Sequence, residues 1–147
     1  MAKVLGLDVG DSKIGIAISD RLGYIAYGVA ILKRKNVQRD ILYIQKLIRD
    51  YHVDELVVGL PIKMDGRRSR QTEKTLIFTK LLRKHLDVPV YTWDERLTTV
   101  EAIKTLKSGN IRRKDRARLI DKVAATIILQ SYLDRKNYTH APLDASL

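Results

Sequence analysis

Three carboxylates lie where apolar residues belong. In VLGLDVGDSKIGIAISD, every residue from Val4 to Val9 is apolar or glycine except Asp8. In YTWDERLTT, Asp94, Glu95 and Arg96 follow directly on the strand-like stretch 90–93. In LIDKVAATIILQSYL, Asp121 shares one helical face with Ala124, Ala125, Ile128 and Tyr132, by steps of three or four. A carboxylate among apolar neighbours is costly unless it is paired, protonated or bound to a cation. Each has an ordinary alternative: a turn role at Gly10-Asp11-Ser12, a helix N-terminus after residue 93, a salt bridge from the last helix. If the three converge, they repel, and a divalent cation resolves the repulsion. Oxygen-only ligation favours Mg²⁺ or Mn²⁺. Two such ions held by Asp8, Glu95 and Asp121, with Asp94 as a further candidate, would clamp the attacking and leaving oxygens of a phosphodiester.

The rest of the charge is basic. Lys and Arg number 28 against 17 acids, a net charge of +11, which points to an anionic polymer as partner. Two runs concentrate it. GLPIKMDGRRSRQTEK places Arg67, Arg68 and Arg70 on a loop that enters a helix, and IRRKDRAR places Arg112, Arg113 and Lys114 ahead of Asp121. Arg96 and Lys122 sit beside the acids themselves and complete the candidate nucleic-acid contacts. No aromatic pattern interleaves with these runs, so base stacking is not indicated.

Elements must bring these residues together. Strands are predicted at 3–9, 14–19 and 25–32 with short turns between, an antiparallel meander. A helix follows from the N-cap Asn36, with Val37, Ile41, Ile44, Ile48 and Tyr51 at helical spacing. A strand at 55–60 ends at Pro61. A helix at 71–85 is expected to bury Leu76, Ile77, Leu81 and Leu82. A strand at 88–93, a short helix at 99–106 and a long helix at 115–136 complete the order. Strands alternating with helices imply parallel crossovers. The expectation is an α/β fold: a five-stranded mixed sheet, its first three strands antiparallel, flanked by helices. Residues 1–137 would form one domain and 138–147 a flexible tail.

Other classes are disfavoured. The chain has 147 residues and no cysteine, which removes disulfides and thiolate metal sites. No stretch approaches the ~20 apolar residues of a membrane span, so no membrane partner is expected. The apolar run after Lys3 breaks at Asp8, too early for a signal peptide, and a cytoplasmic protein is expected.

GLDVGDSKIGIAISD, GLPIKMDG, DERLTTVEA and IDKVAATIILQSYL, in that order across residues 3–136, resemble the YqgF/RuvX family. These are small bacterial proteins with an RNase H-like fold, associated with Holliday junction resolution and with nuclease processing of pre-16S rRNA. The resemblance implies that Asp8, Glu95 and Asp121 are the metal-binding catalytic acids. It also implies a metal-dependent nuclease that trims the 5′ end of precursor 16S rRNA, with ribosomal precursor particles as partners. Two departures stand out. Lys63 replaces an Asn that the family loop often carries. The fourth strand ends in Gly59-Leu60-Pro61, where RNase H-like resolvases carry an acid, which favours RNA over junction DNA. The alternatives are a DNA junction resolvase, which needs a symmetric dimer, and a non-catalytic RNA- or ribosome-binding module. A monomer or weak homodimer is expected. The DVG stretch also resembles the phosphate loop of sugar kinases and chaperone ATPases, but those need a second such domain.

Overall fold

A computed structural model describes residues 2–98 and 122–138 in full and residues 113–121 and 139–140 by backbone alone. Along the chain run β1 (Val4–Val9), β2 (Lys13–Ser19), β3 (Ala26–Lys33), α1 (Val37–Asp50), β4 (Glu55–Leu60), α2 (Arg70–His85), β5 (Val90–Asp94), a 3-10 turn (Glu95–Leu97) and α3 (Arg113–His140). The sheet order is β3-β2-β1-β4-β5. β1 pairs antiparallel with β2, and β2 with β3, while β1–β4 and β4–β5 are parallel. This is the mixed sheet expected from the sequence.

Local chemistry explains the connections. Gly10 N–H donates to the Lys13 carbonyl at 2.8 Å and closes the β1–β2 turn. Gly23, with φ 76°, turns β2 into β3, and the Asp20 carboxylate accepts from the N–H groups of Tyr24 and Ile25 there. Asn36 caps α1 by accepting from Arg39 N–H at 2.9 Å. Ser69 and Thr72 form a capping box at the start of α2. The β1–β4 and β4–β5 crossovers are carried by α1 and α2, as parallel neighbours require.

Several boundaries differ from expectation. β5 begins at Val90 rather than 88, since Pro89 has no N–H to give to a ladder. α3 begins at Arg113 and continues to His140, so the expected tail starts inside a helix. The predicted helix at 99–106, and the tail from 141, lie outside the described residues. In α2, Leu82 is buried, but Ile77 is 62% exposed and Leu76 and Leu81 are only half-buried. The packing stripe is Thr72, Thr75, Phe78, Thr79 and Leu82. Their three- and four-residue steps define the face, and threonine methyls supply apolar surface that a hydrophobic count overlooks.

The sheet has a core on each side. Leu5, Leu7, Ile14, Ile16, Leu56 and Val58 face α1 and α2, meeting Ile44, Phe78 and Leu82. Val4, Ala17 and Val57 face α3, meeting Ala125, Leu129 and Leu133. Each such buried leucine or isoleucine stabilises the fold by about 1.5–3 kcal/mol relative to exposure. α3 lies close to the sheet: a Cβ on Gly6 of β1 would fall 2.8 Å from Leu129 Cβ. Among the described residues, no helix is long and apolar enough to cross a membrane.

Candidate active site at the carboxyl ends of the parallel strands

Asp8 is the penultimate residue of β1 and is only 6% exposed. Gly6, two residues earlier, faces α3 through Leu129, so Asp8 points to the same side of the sheet. The parallel register pairs Leu7 with Val58. One residue further sets Asp8 beside Gly59, with strands about 4.8 Å apart.

Glu95 reaches the same place from the other flank. β4–β5 register pairs Gly59 with Trp93 and Leu60 with Asp94, and the chain then turns through the 3-10 segment. That turn brings Glu95 back over the sheet, where it is 5% exposed. Its Oε2 stands 2.9 Å from where a Gly59 Cβ would be. Asp8 and Glu95 thus border one glycine at the carboxyl ends of the parallel strands, where open α/β sheets hold their ligands.

Asp94, the neighbouring acid, is committed elsewhere. It caps the 3-10 turn by accepting from Arg96 N–H at 2.9 Å, and the Arg96 guanidinium grips it through Nη2 at 2.7 Å and Nε at 3.0 Å. Those side-chain hydrogen bonds hold the Asp94 carboxyl below its usual range, the Arg96 N–H adds to this, and burial opposes it. The same pair raises Arg96 above its usual value. Asp94 therefore fixes the turn that carries Glu95. The other face of Arg96 lies along the 62–69 loop, 3.5 Å from the Cβ position of Gly66, whose φ of 88° only glycine adopts freely.

α3 runs antiparallel to β4. Glu55 at the start of β4 meets Tyr132 and Lys136, whereas Gly59 at its end meets Ile128. Earlier residues of α3 therefore lie toward the strand ends. Asp121 belongs to the α3 backbone two helical turns before Ile128, and its side chain lies outside the described residues. Among the described residues no group of three or more potential ligands forms. The donor set of Asp8 and Glu95, hard oxygen ligands from the end of β1 and the turn after β5, has the chemistry a divalent cation of the Mg²⁺ class requires.

The candidate basic contacts fall in two groups. Arg67, Arg68 and Arg70 are exposed at the loop and the start of α2. Arg67 pairs with Asp65 at 2.6 Å, and Arg68 with Glu73 at 3.6 Å. Lys122 is exposed, its stem packed over Gly28 of β3. Arg112 and the side chains of Arg113 and Lys114 lie outside the described residues.

Two further buried acids were not singled out from the sequence. Asp40 is met by Arg34 Nε at 2.9 Å, and Glu55 by Lys136 and the Tyr132 hydroxyl. Gly59 was noted only as a missing acid. A glycine in the run ELVVGL marks a close approach, and that signal was available.

Known proteins resemble this chain in sequence and in fold. A family model described as RuvX, Holliday junction resolvase, matches residues 2–135. The chain belongs to the RuvX family. A Halothermothrix orenii protein named "Putative pre-16S rRNA nuclease" is 49% identical over 138 residues, covering 94% of this chain and 99% of its own. A Clostridium acetobutylicum relative of the same name is 46% identical over 132 residues, covering 90% and 98%. The solved structure of Thermus thermophilus RuvC with a Holliday junction substrate superposes with a TM-score of 0.56 at 15% identity, covering 91% of this RuvX chain and 95% of that one. The fowlpox virus resolvase in complex with Holliday junction DNA gives 0.51 at 15%, covering 91% and 98%. These two likenesses establish the RNase H-like fold.

Proposed function

We propose that this RuvX protein is a divalent-metal-dependent nuclease that hydrolyses phosphodiester bonds in RNA, at the 5′ end of precursor 16S rRNA. The observation that carries the reading is the convergence of two buried carboxylates, Asp8 and Glu95, on Gly59 at the strand ends of a chain with net charge +11. Two like charges around one glycine favour a cation between them. Asp8 and Glu95 would hold it, with Asp121 completing the set from α3. Mg²⁺ or Mn²⁺, as a pair of ions, would supply Lewis-acid stabilisation of the phosphodiester oxygens and a reactive water at neutral pH.

The chain's own groups then divide the work. Asp94 and Arg96 hold the turn so that Glu95 is presented to Asp8. Arg67, Arg68 and Arg70 at the α2 N-terminus, with Lys122, Arg112, Arg113 and Lys114 along α3 and its approach, grip flanking phosphates. The names of the curated relatives support RNA over junction DNA. The proposed substrate places the enzyme in the cytoplasm with ribosomal precursor particles, acting as a monomer or weak homodimer.

The test compares wild type with Asp8→Asn on a precursor 16S rRNA 5′ leader and on a four-way DNA junction, in Mg²⁺, in Mn²⁺ and in chelator. Leader cleavage that requires both metal and Asp8 is expected. Cleavage of the junction alone would move the assignment to DNA. Equal binding by both proteins with no cleavage under either metal would leave a binding module.

A further inference from the structure

Gly59 is glycine for space, not for backbone conformation. The described glycines with left-handed φ are Gly23 and Gly66, and Gly59 is not among them. What a side chain at Gly59 would meet is specific. Its Cβ would lie 2.5 Å from Ile128 Cδ1, 3.1 Å from Ile128 Cγ1 and 2.9 Å from Glu95 Oε2. Heavy atoms do not pack that closely, so alanine there displaces the α3 side chain, the carboxylate, or both.

We propose that Gly59 is a positioning residue of the active site. The missing side chain is the seat into which Glu95 folds from the 3-10 turn, and it lets an acid from beyond β5 stand beside the β1 acid. The catalytic consequence rests on the nuclease reading above; the seat itself rests on geometry. The β1 acid needs no such seat, because Asp8 rises directly from its strand. Glu95 arrives from beyond the end of β5, and β4 lies between β5 and β1. In this chain a side chain at Gly59 stands in its path.

Gly6 provides the control. It also makes room for α3, and the three atoms nearest its Cβ position all belong to Leu129, with Cβ at 2.8 Å. Gly6→Ala therefore presses on α3 without entering the space that Glu95 occupies. At Gly59 the two demands separate by a second substitution. Ile128→Val removes Cδ1, the nearest atom, so Gly59→Ala/Ile128→Val leaves the carboxylate as the main obstruction. Glu95→Asp then withdraws the carboxylate by one methylene.

Mn²⁺ binding is measured calorimetrically for wild type, Gly6→Ala, Ile128→Val, Gly59→Ala/Ile128→Val and the triple variant with Glu95→Asp. Thermal melts in chelator and the split between kcat and KM for leader RNA are recorded alongside. The double variant should melt near Ile128→Val yet bind Mn²⁺ ~10-fold or more weakly, as displaced supporting residues of metal sites do. Its kcat should fall with KM little changed. Glu95→Asp added to the double variant should recover part of the affinity, and Gly6→Ala should lower the melting temperature without weakening Mn²⁺ binding. Wild-type Mn²⁺ affinity in the double variant, or equal weakening in Gly6→Ala, overturns the proposal. If the wild-type protein neither binds Mn²⁺ nor cuts RNA, the nuclease reading fails by itself. A crystal structure of the double variant then decides the seat: a Glu95 carboxylate turned away from β4 supports it, and an unmoved one refutes it.

Discussion

The two ends of β4 each lie next to a buried carboxylate, and they are built in opposite ways. At the start, Glu55 is met by the Lys136 ammonium and the Tyr132 hydroxyl, both from α3. At the finish, Gly59 has Asp8 on one side and the Glu95 carboxylate over it. The first end brings a cation and a donor to one acid, and the charge is settled inside the fold. The second brings a second acid to the first, across a residue with no side chain. Burial of a carboxylate therefore does not identify a site; what converges on it does. The same helix serves both ends: its later turns neutralise Glu55, and its earlier turns approach the acid pair.

Substitutions at the two ends should have opposite signatures, and the largest effect belongs to the Gly59 end. Asp8→Asn and Glu95→Gln should each reduce cleavage by ~10³-fold or more, about 4 kcal/mol of transition-state stabilisation. Urea unfolding in chelator should show a smaller loss than Glu55→Ala, because Asn and Gln keep the shape and hydrogen-bonding capacity of the acids they replace. A large stability loss with residual cleavage would mean the Gly59 end is structural, like the Glu55 end.

Glu55→Ala should do the reverse. It strips two part-buried hydrogen bonds from α3 and should cost about 1–3 kcal/mol in denaturant unfolding. Mn²⁺ affinity should remain that of wild type; weaker binding would show that the two ends are coupled through α3.

The Tyr132 hydroxyl gives a pH test of the same end. Burial, then the Glu55 carboxylate, pushes its pKa above the ordinary 10.0. A raised folded-state pKa stabilises below the unfolded value, and that contribution is lost as pH rises through the folded one. Wild-type stability should thus fall with increasing pH above about 10, more steeply than that of Tyr132→Phe. Matching pH slopes would remove Tyr132 from the Glu55 cluster.

The smallest effect is at Asp94. Arg96 depresses its pKa below the ordinary 3.8, so the pair stabilises above that value and the contribution disappears as pH falls below it. Arg96→Met should lower stability only slightly at neutral pH, as for a partly exposed pair screened by solvent. The difference from wild type should shrink below about pH 3.8. A larger fall in kcat than in stability would show that the clamp positions Glu95.

Much of this was legible beforehand. The short turns between three strand-like runs marked the meander, Asn36 marked the start of α1, and ELVVGL marked β4 to the residue. Asp8 was conspicuous because a single charge interrupts an apolar strand. The face of α2 was misread because its stripe is threonine, and threonine is not counted as apolar. The destination of Asp94 was open because two adjacent acids look alike in sequence; only the fold around the turn gives one to Arg96 and sends the other over the sheet.

The sequence by itself determined the element order, the mixed sheet, the basic surface and the three candidate acids, because those follow from local periodicity, turn chemistry and charge. The tertiary structure decided which acid meets Lys136 and which two converge on Gly59. Glu55 and Lys136 are 81 positions apart in the chain, as no local pattern can relate. Gly59, Ile128 and Glu95 meet only because β4 lies between β1 and β5 and α3 packs across them. Space beside a glycine is a property of what surrounds it, and that is set by the register of neighbouring strands and the height of a helix above them.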